Sequence, residues 1–124
     1  MNGKSIAALA CAIGVLSTAF IDTSSGGTID GVVAACDRAL AIATDKTKVI
    51  PGHGPLSNKA ELKAYREMLA TVAARIRKML ADGRKLEDIT ASDATADFDE
   101  KWDKGFIKAD KFREMVAMNI LKNR

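Results

Sequence analysis

The chain has 124 residues, of which 48% are hydrophobic and 28% charged, a balance that fits one globular domain and excludes an intrinsically disordered chain. The formal net charge is +3, but lysines and arginines alternate with acids and form no basic block, so no nucleic acid is expected as a partner. Aromatic residues make up only 5%, and much of the apolar content is alanine, so a monomer would have a thin core and oligomerisation would compensate for it.

The first predicted element is an apolar N-terminal segment. Lys4 precedes an uncharged stretch from Ser5 to Ile21, with the small residues Ser17-Thr18-Ala19 near its end. This order is typical of a signal peptide, and the stretch is shorter than the roughly 20 apolar residues of a membrane span, so no stable membrane anchor is expected. Two interpretations stay open. Residues 1–20 are either signal-peptide-like, with residues 1–19 cleaved from an exported or periplasmic protein, or a helix that a cytoplasmic protein retains and packs into its own fold or into a partner.

The remaining residues, 21–124, are expected to form a single helical domain whose first helix runs from about Thr28 to Ala43. Thr28 is the expected N-cap, and the preceding Ser24-Ser25-Gly26-Gly27 is expected to be a loop and not an anion-binding site. Cys11 and Cys36 have no metal-ligand spacing and are expected to be small buried hydrophobes. A disulfide between them would require the N-terminal segment to be retained on this helix. The apolar face of the helix comprises Ile29, Val32, Val33, Cys36 and Leu40.

A short strand is predicted at about residues 47–50, and it ends in the turn Pro51-Gly52-His53-Gly54-Pro55. His53 is the only histidine in the chain. An imidazole held at a strand end suits a metal ion, and the ordinary alternative is a turn histidine that only forms hydrogen bonds. A lone strand leaves its backbone groups unpaired, so it must pair within the chain, pair with another chain or abandon strand geometry. This favours a homodimer.

The clearest periodicity predicts a long helix between Ser57 and Asp82. Asn58 or Ser57 is the expected N-cap, with Glu61 completing a capping box, and Gly83 is expected to end the helix. The apolar stripe is heptad-like, so it fits either a core seam within the chain or a helix pair between two chains. Its members recur at spacings of three and four and are Leu62, Tyr65, Leu69, Val72, Ile76 and Met79.

Three further segments complete a mainly α fold of three to four helices with at most one short strand. Leu86–Ile89 fits a short helix, Thr95–Lys104 places Phe98 and Trp102 on one face, and a last helix begins near Asp110 or Lys111. Its expected packing residues are Phe112, Met115, Val116 and Ile120. An acidic cluster is expected to be a solvated face and not a metal site. It comprises Asp97, Asp99, Glu100 and Asp103.

Six separated segments carry a family resemblance. They are Phe20–Asp22, Ser25–Gly31, Thr47–Pro55, Leu62–Tyr65, Thr95–Trp102 and Gly105–Lys108. In this order they resemble the C-terminal part of a metallo-β-lactamase-fold hydrolase. The resemblance implies a truncated piece of an αββα fold, completed by oligomerisation. In that family the histidine of the Pro-Gly-His-Gly turn is the last zinc ligand, so the resemblance implies this role for His53.

The chain lacks the rest of that family's dinuclear site, which needs an upstream His-x-His-x-Asp-His motif, a further histidine and a bridging aspartate. A catalytic zinc normally takes three protein ligands and an open position for water, and one histidine per chain is too few. Hydrolysis by the lone chain is therefore not expected. Activity as a zinc-dependent hydrolase would need a partner that supplies the missing ligands.

Two function classes remain. In the first, the chain is a non-catalytic or residual metal-binding protein in which His53 binds zinc or another divalent transition metal, shared across a homodimer and serving metal handling. In the second, it is a helical protein–protein interaction module without a metal, and His53 is a relic. Neither class predicts a substrate.

Overall fold

Five helices and one small sheet make up the part of the chain that the computed structural model describes, which is residues 27–49, 57–102 and 108–124, without the side chain of Trp102. The mainly helical class predicted from the sequence is confirmed. The elements in chain order are α1 Ile29–Ile42, β1 Lys48–Val49, β2 Ser57–Asn58, α2 Lys59–Ala81, α3 Leu86–Thr90, α4 Ala96–Trp102 and α5 Ala109–Lys122.

Helix α2 is the centre of the core and packs against both α1 and α5. Its predicted apolar stripe lies in the interior of a single chain, since Leu69, Val72 and Ile76 are completely buried there. Burial of this stripe supplies the main stabilising term, at about 25 cal/mol per Å² of apolar surface removed from water. Of the two arrangements that the heptad-like spacing allows, the structure therefore has the core seam.

The ends of α2 are fixed by local hydrogen bonds. At its start the Asn58 side-chain oxygen accepts a hydrogen bond from the Glu61 N–H at 2.9 Å. At its end Gly83 has a φ of +82°, and the N–H groups of Gly83 and Arg84 donate to the carbonyls of Leu80 and Met79. This is a Schellman motif, in which a left-handed residue satisfies the last helical carbonyls. Both predicted boundaries are confirmed.

Helix α1 begins as predicted, with the Thr28 hydroxyl accepting a hydrogen bond from the Gly31 N–H at 2.9 Å. Cys36 faces the core and is a free, completely buried thiol, which confirms its expected place as a small hydrophobe. Cys11, its candidate disulfide partner, lies outside the described residues.

Two polar side chains of α5 are buried and join it to distant parts of the chain. Asn119 is 5% exposed; its side-chain oxygen accepts from the Ile29 N–H at 3.0 Å, and its side-chain NH₂ donates to the Gly27 carbonyl at 2.9 Å. Arg113 is 8% exposed and donates to the Thr90 carbonyl and the Thr95 hydroxyl, at 3.0 and 2.7 Å. Helix α5 is therefore bonded to the start of α1, to the end of α3 and to the segment that links α3 with α4.

The two strands pair antiparallel, with Lys48 opposite Asn58 and Val49 opposite Ser57. Strand β1 lies within the predicted strand, whereas β2 was not predicted. Because the pairing partner belongs to the same chain, β1 has no need of a second copy for its backbone hydrogen bonds. An unpaired strand is therefore no longer an argument for a homodimer, and the homodimer stays a prediction.

Several sequence predictions lie outside the described residues. They concern the N-terminal segment with Phe20-Ile21-Asp22, the loop before Gly27, the end of the predicted strand at Ile50 with the His53 turn, Asp103, and Gly105–Ile107. Among the helices that are described, none combines the length and the apolar character needed to cross a lipid bilayer.

Candidate functional site

The segment that contains His53 is held at both of its ends by the hairpin of β1 and β2. Residues 50–56 join Val49 to Ser57, and these two residues are paired across the sheet. Val49 is completely buried in the core. His53 itself lies outside the described residues, at the midpoint of the joining segment in sequence. The two strands therefore fix the positions in the core between which this segment runs.

On the β1 side, a small hydroxyl network fixes the chain between α1 and the strand. The Thr44 N–H donates to the Thr47 hydroxyl at 2.8 Å, and the Thr47 N–H donates back to the Thr44 carbonyl at 2.9 Å. Thr47 is buried although it is polar, and these bonds offset the cost of removing its hydroxyl from water. The direction in which β1 leaves α1 is thereby set by local bonding.

On the β2 side, the strand passes directly into α2, since Asn58 is both a strand residue and the helix cap. Glu61 in the first turn of α2 forms an ion pair with Lys101 of α4, with 3.0 Å between their charged atoms. A carboxylate is a common zinc ligand, but this one already has a cationic partner. The base of the hairpin is therefore tied to α4 as well as to the core.

The described residues contain no group of three or more histidine, cysteine, aspartate or glutamate side chains that would hold a metal ion. The predicted acidic cluster contains ion pairs, with Asp97 bound to Arg75 at 2.6 Å and Asp99 at 3.8 Å from Arg113. The hydrogen bond from Arg75 lowers the pKa of Asp97. Glu100 is exposed, and Asp103 lies outside the described residues. In this part of the chain, the cluster thus behaves as a surface that binds arginines.

The buried thiol of Cys36 is not a candidate nucleophile or metal ligand. Desolvation by burial, assisted by the negative charge of Asp37, raises its pKa to about 11. A thiol is nucleophilic or metal-binding as the thiolate, which is almost absent at neutral pH when the pKa is this high. Cys36 is therefore a packing residue.

Among the surface cavities of the described residues, two lie between helices and away from the hairpin. The α1 groove, of about 530 Å³, is lined by Ile29, Asp30, Arg77, Leu80, Ile120 and Asn123 among others. A shallower cavity of about 540 Å³ lies between α3 and α5 beside Thr90 and Lys111. The sequence predicts neither cavity, because each forms between elements far apart in the chain and its residues follow no local pattern.

Comparison of the chain with protein-family models, with curated proteins and with solved structures found no match. The resemblance of six sequence segments to metallo-β-lactamase-fold hydrolases therefore stays a prediction.

Proposed function

We propose that this chain is a non-catalytic metal-binding protein in which His53 binds zinc or another divalent transition metal ion. The observation that carries the proposal is the pairing of Val49 with Ser57, because it anchors both ends of the segment containing the only histidine. An anchored turn loses less conformational entropy when it binds a ligand than a free chain does. The Pro-Gly-His-Gly sequence of this turn, which resembles a zinc-ligating turn, gives the second support.

The proposed site is shared between two chains. One imidazole cannot fill the four positions that zinc normally takes, and the described residues provide no cluster that would complete it. Two copies meeting across a twofold axis would place two imidazoles on one ion, with carboxylates or water in the remaining positions. Such a site suits metal handling more than hydrolysis, since hydrolysis would also need a partner that supplies the missing zinc ligands.

The test is the number of metal ions bound per chain. Metal-stripped full-length protein is dialysed to equilibrium against zinc, cobalt or nickel, and bound metal is measured by elemental analysis beside the molar mass in solution. The proposal expects about one ion per two chains, a metal-dependent dimer, and weaker retention in mildly acidic buffer, where imidazole is protonated. Failure to bind any of the three metals at micromolar concentration would contradict it.

A pair of variants makes the assignment specific. His53→Ala is expected to abolish metal binding while the helical circular dichroism spectrum stays unchanged. Glu87→Gln, which removes an exposed carboxylate on α3, is the matched control and should bind as the original chain does. Equal metal binding by the two variants would remove His53 from the site.

A helical interaction module is the second candidate, and one observation favours it. Met118 and Leu121 lie three residues apart on α5 and are 53% and 39% exposed. Apolar side chains at this spacing share a helix face and suit contact with another helix. If the metal measurement is negative, Met118→Asp should lower the molar mass in solution under this function. An unchanged molar mass would then count against a self-associating module.

A further inference from the structure

We infer that helix α5 pairs with α5 of a second copy of this chain, antiparallel and about a twofold axis at Met118. The inference rests on the second candidate function, the helical interaction module, and names its partner. It involves neither His53 nor a metal ion.

The outward side of α5 carries a short apolar strip. Three large apolar side chains of the described residues are exposed, and two of them, Met118 and Leu121, lie three residues apart on α5. Met115, one turn before Met118, is half-buried at the edge of the core. Residues three apart share a helix face. A single exposed apolar side chain is ordinary on a protein surface, whereas the α5 strip of Met115, Met118 and Leu121 suits contact with another helix.

Charged side chains of opposite sign flank the α5 strip. Glu114 is four residues before Met118, and Lys122 is four residues after it. The Glu114 carboxylate binds Lys111 through one oxygen, at 3.0 Å, and an ionised carboxylate has a second oxygen that can accept a hydrogen bond from another cation. Lys122 is exposed in the last turn of α5. The face therefore offers an acceptor on one side of the strip and a donor on the other.

Twofold symmetry makes this order self-complementary. When two copies pair antiparallel about an axis at Met118, residues equally far from it in opposite directions lie at the same level. Glu114 is then level with the partner's Lys122, and Met115 is level with the partner's Leu121. Contacting helices lie about 8–10 Å apart, a gap that a lysine side chain can bridge to a carboxylate. Each ion pair and each apolar contact forms twice, and the two Met118 side chains meet on the axis.

A parallel pair would not have this complementarity. Each residue would then lie beside its own copy, so the two Glu114 carboxylates would be neighbours, and so would the two Lys122 ammonium groups. Like charges repel, so charge selects the antiparallel arrangement. An unrelated helix would have to provide a matching order of charged and apolar residues, whereas a second copy already has it.

The size of the α5 strip sets the strength of the pair. Helix α5 has 14 residues and is therefore about 21 Å long, and only one side of it takes part. Stable interfaces bury about 1,200–2,000 Å² in total, which is more than one side of a single short helix provides. The inferred dimer is therefore weak and forms between high micromolar and millimolar protein concentrations.

Charge reversal in metal-stripped, full-length protein tests the pairing. Sedimentation equilibrium from micromolar to millimolar protein, with a chelator present, gives the dissociation constant of the dimer. Glu114→Lys and Lys122→Glu each place like charges at the same level, twice per dimer, and should raise this constant about tenfold. The variant with both changes exchanges the two charges and should return to within about threefold of the original value.

A control variant separates this effect from that of net charge. Asp45→Lys, at an exposed position in the turn before β1, alters the net charge as much as Glu114→Lys does and should leave the dissociation constant unchanged. Because Glu114→Lys also removes the ion pair with Lys111, circular dichroism of each variant checks that the helices are intact. A double variant that dimerises no better than either single variant would overturn the inference.

Cross-linking on the symmetry axis gives a second, independent readout. In a Cys11→Ser background, where the remaining Cys36 is completely buried, Met118→Cys is compared with Ile42→Cys. The two positions are similarly exposed, at 53% and 56%. A residue on the axis meets its own copy, so the intermolecular disulfide should form about tenfold or more faster with Met118→Cys, through the higher effective concentration of the two thiols. Equal rates for the two variants would overturn the inference.

Met118→Asp separates the inference from the function on which it rests. A dimer that Met118→Asp abolishes but that both charge reversals leave intact would keep the interaction module and overturn the antiparallel pairing. A dimer that Met118→Asp leaves intact, or a protein that stays monomeric at millimolar concentration, would overturn the pairing and a self-associating module together. Neither result would bear on the binding of metal by His53.

Discussion

The side chain of Asn119 caps the backbone of Ile29 across 90 residues of sequence, with 3.0 Å between the amide oxygen and the N–H nitrogen. Through its NH₂ group the same side chain also binds the Gly27 carbonyl at 2.9 Å. An asparagine amide has one acceptor and one donor end, so it satisfies two backbone groups of opposite polarity at once. The first turn of α1 is thus completed by a residue of α5.

Replacing Asn119 with alanine should lower the free energy of unfolding by roughly 2–4 kcal/mol, because the buried Ile29 N–H and the half-buried Gly27 carbonyl both lose their partner, at about 1–3 kcal/mol each. Asn119→Leu, which restores the volume but not the bonds, should be similarly destabilised. Urea denaturation monitored by circular dichroism measures both. Lys122→Ala, at an exposed position in the last turn of α5, is the control and should cost less than about 1 kcal/mol. A fully stable Asn119→Leu protein would show that packing, and not hydrogen bonding, is what matters there.

Arg113 should contribute more to the free energy of unfolding than the exposed arginines do. Its guanidinium is buried and bonded to Thr90 and Thr95, so Arg113→Ala removes the donor to the buried Thr95 hydroxyl and to the half-buried Thr90 carbonyl and should cost roughly 2–4 kcal/mol. Arg77→Ala breaks an ion pair with Asp30 whose side chains are 44% and 71% exposed, and it should cost about 0–1 kcal/mol. The comparison uses the same denaturation assay. Equal losses for the two variants would contradict the role assigned to burial.

Replacing Gly83 with alanine should destabilise the protein more than replacing it with asparagine. Its φ of +82° is unfavourable for residues with a Cβ, although nothing lies within 4 Å of where a Cβ would be placed. Gly83→Ala should therefore cost roughly 1 kcal/mol through backbone strain alone. Asparagine tolerates the left-handed region better, so Gly83→Asn should cost less than Gly83→Ala. The order of the two unfolding midpoints in urea is the measurement, and the reverse order would exclude the strain explanation.

Cys36 should make the protein less stable in alkaline solution. Burial raises the pKa of its thiol to about 11, above the value of about 8.5 for an exposed thiol. Because the folded pKa is the higher one, the stabilisation is fully present below about pH 8.5 and is lost as the pH rises towards the folded pKa. The urea concentration at the unfolding midpoint should decrease as the pH is raised from 8 to 10. The decrease should be smaller for Cys36→Ala. Parallel curves for the two proteins would contradict this assignment.

The long helix was predictable because its signals are local. Asn58 and Glu61 mark its start, Gly83 marks its end, and the spacing of the apolar residues between them fixes the buried face. Each of these signals acts over a few residues, and none depends on where the rest of the chain lies. The same is true of Thr28 at the start of α1.

The second strand and the buried polar side chains were not predictable in this way. Ser57 and Asn58 are poor strand formers, and they pair with β1 because the chain returns at that point. Asn119 and Arg113 belong to residue types that are usually exposed on helices, and their partners lie far away in sequence.

The double role of Asn58, which ends β2 and caps α2, means that no linker lies between the hairpin and the central helix. A change in the position of β2 would therefore act directly on the first hydrogen bonds of α2, because no flexible linker separates the two elements. The Val49 side chain, opposite Ser57 in the sheet, is completely buried. Any ligand that tightened the segment between Val49 and Ser57 would register as slower amide exchange in the first turn of α2, well away from the ligand itself.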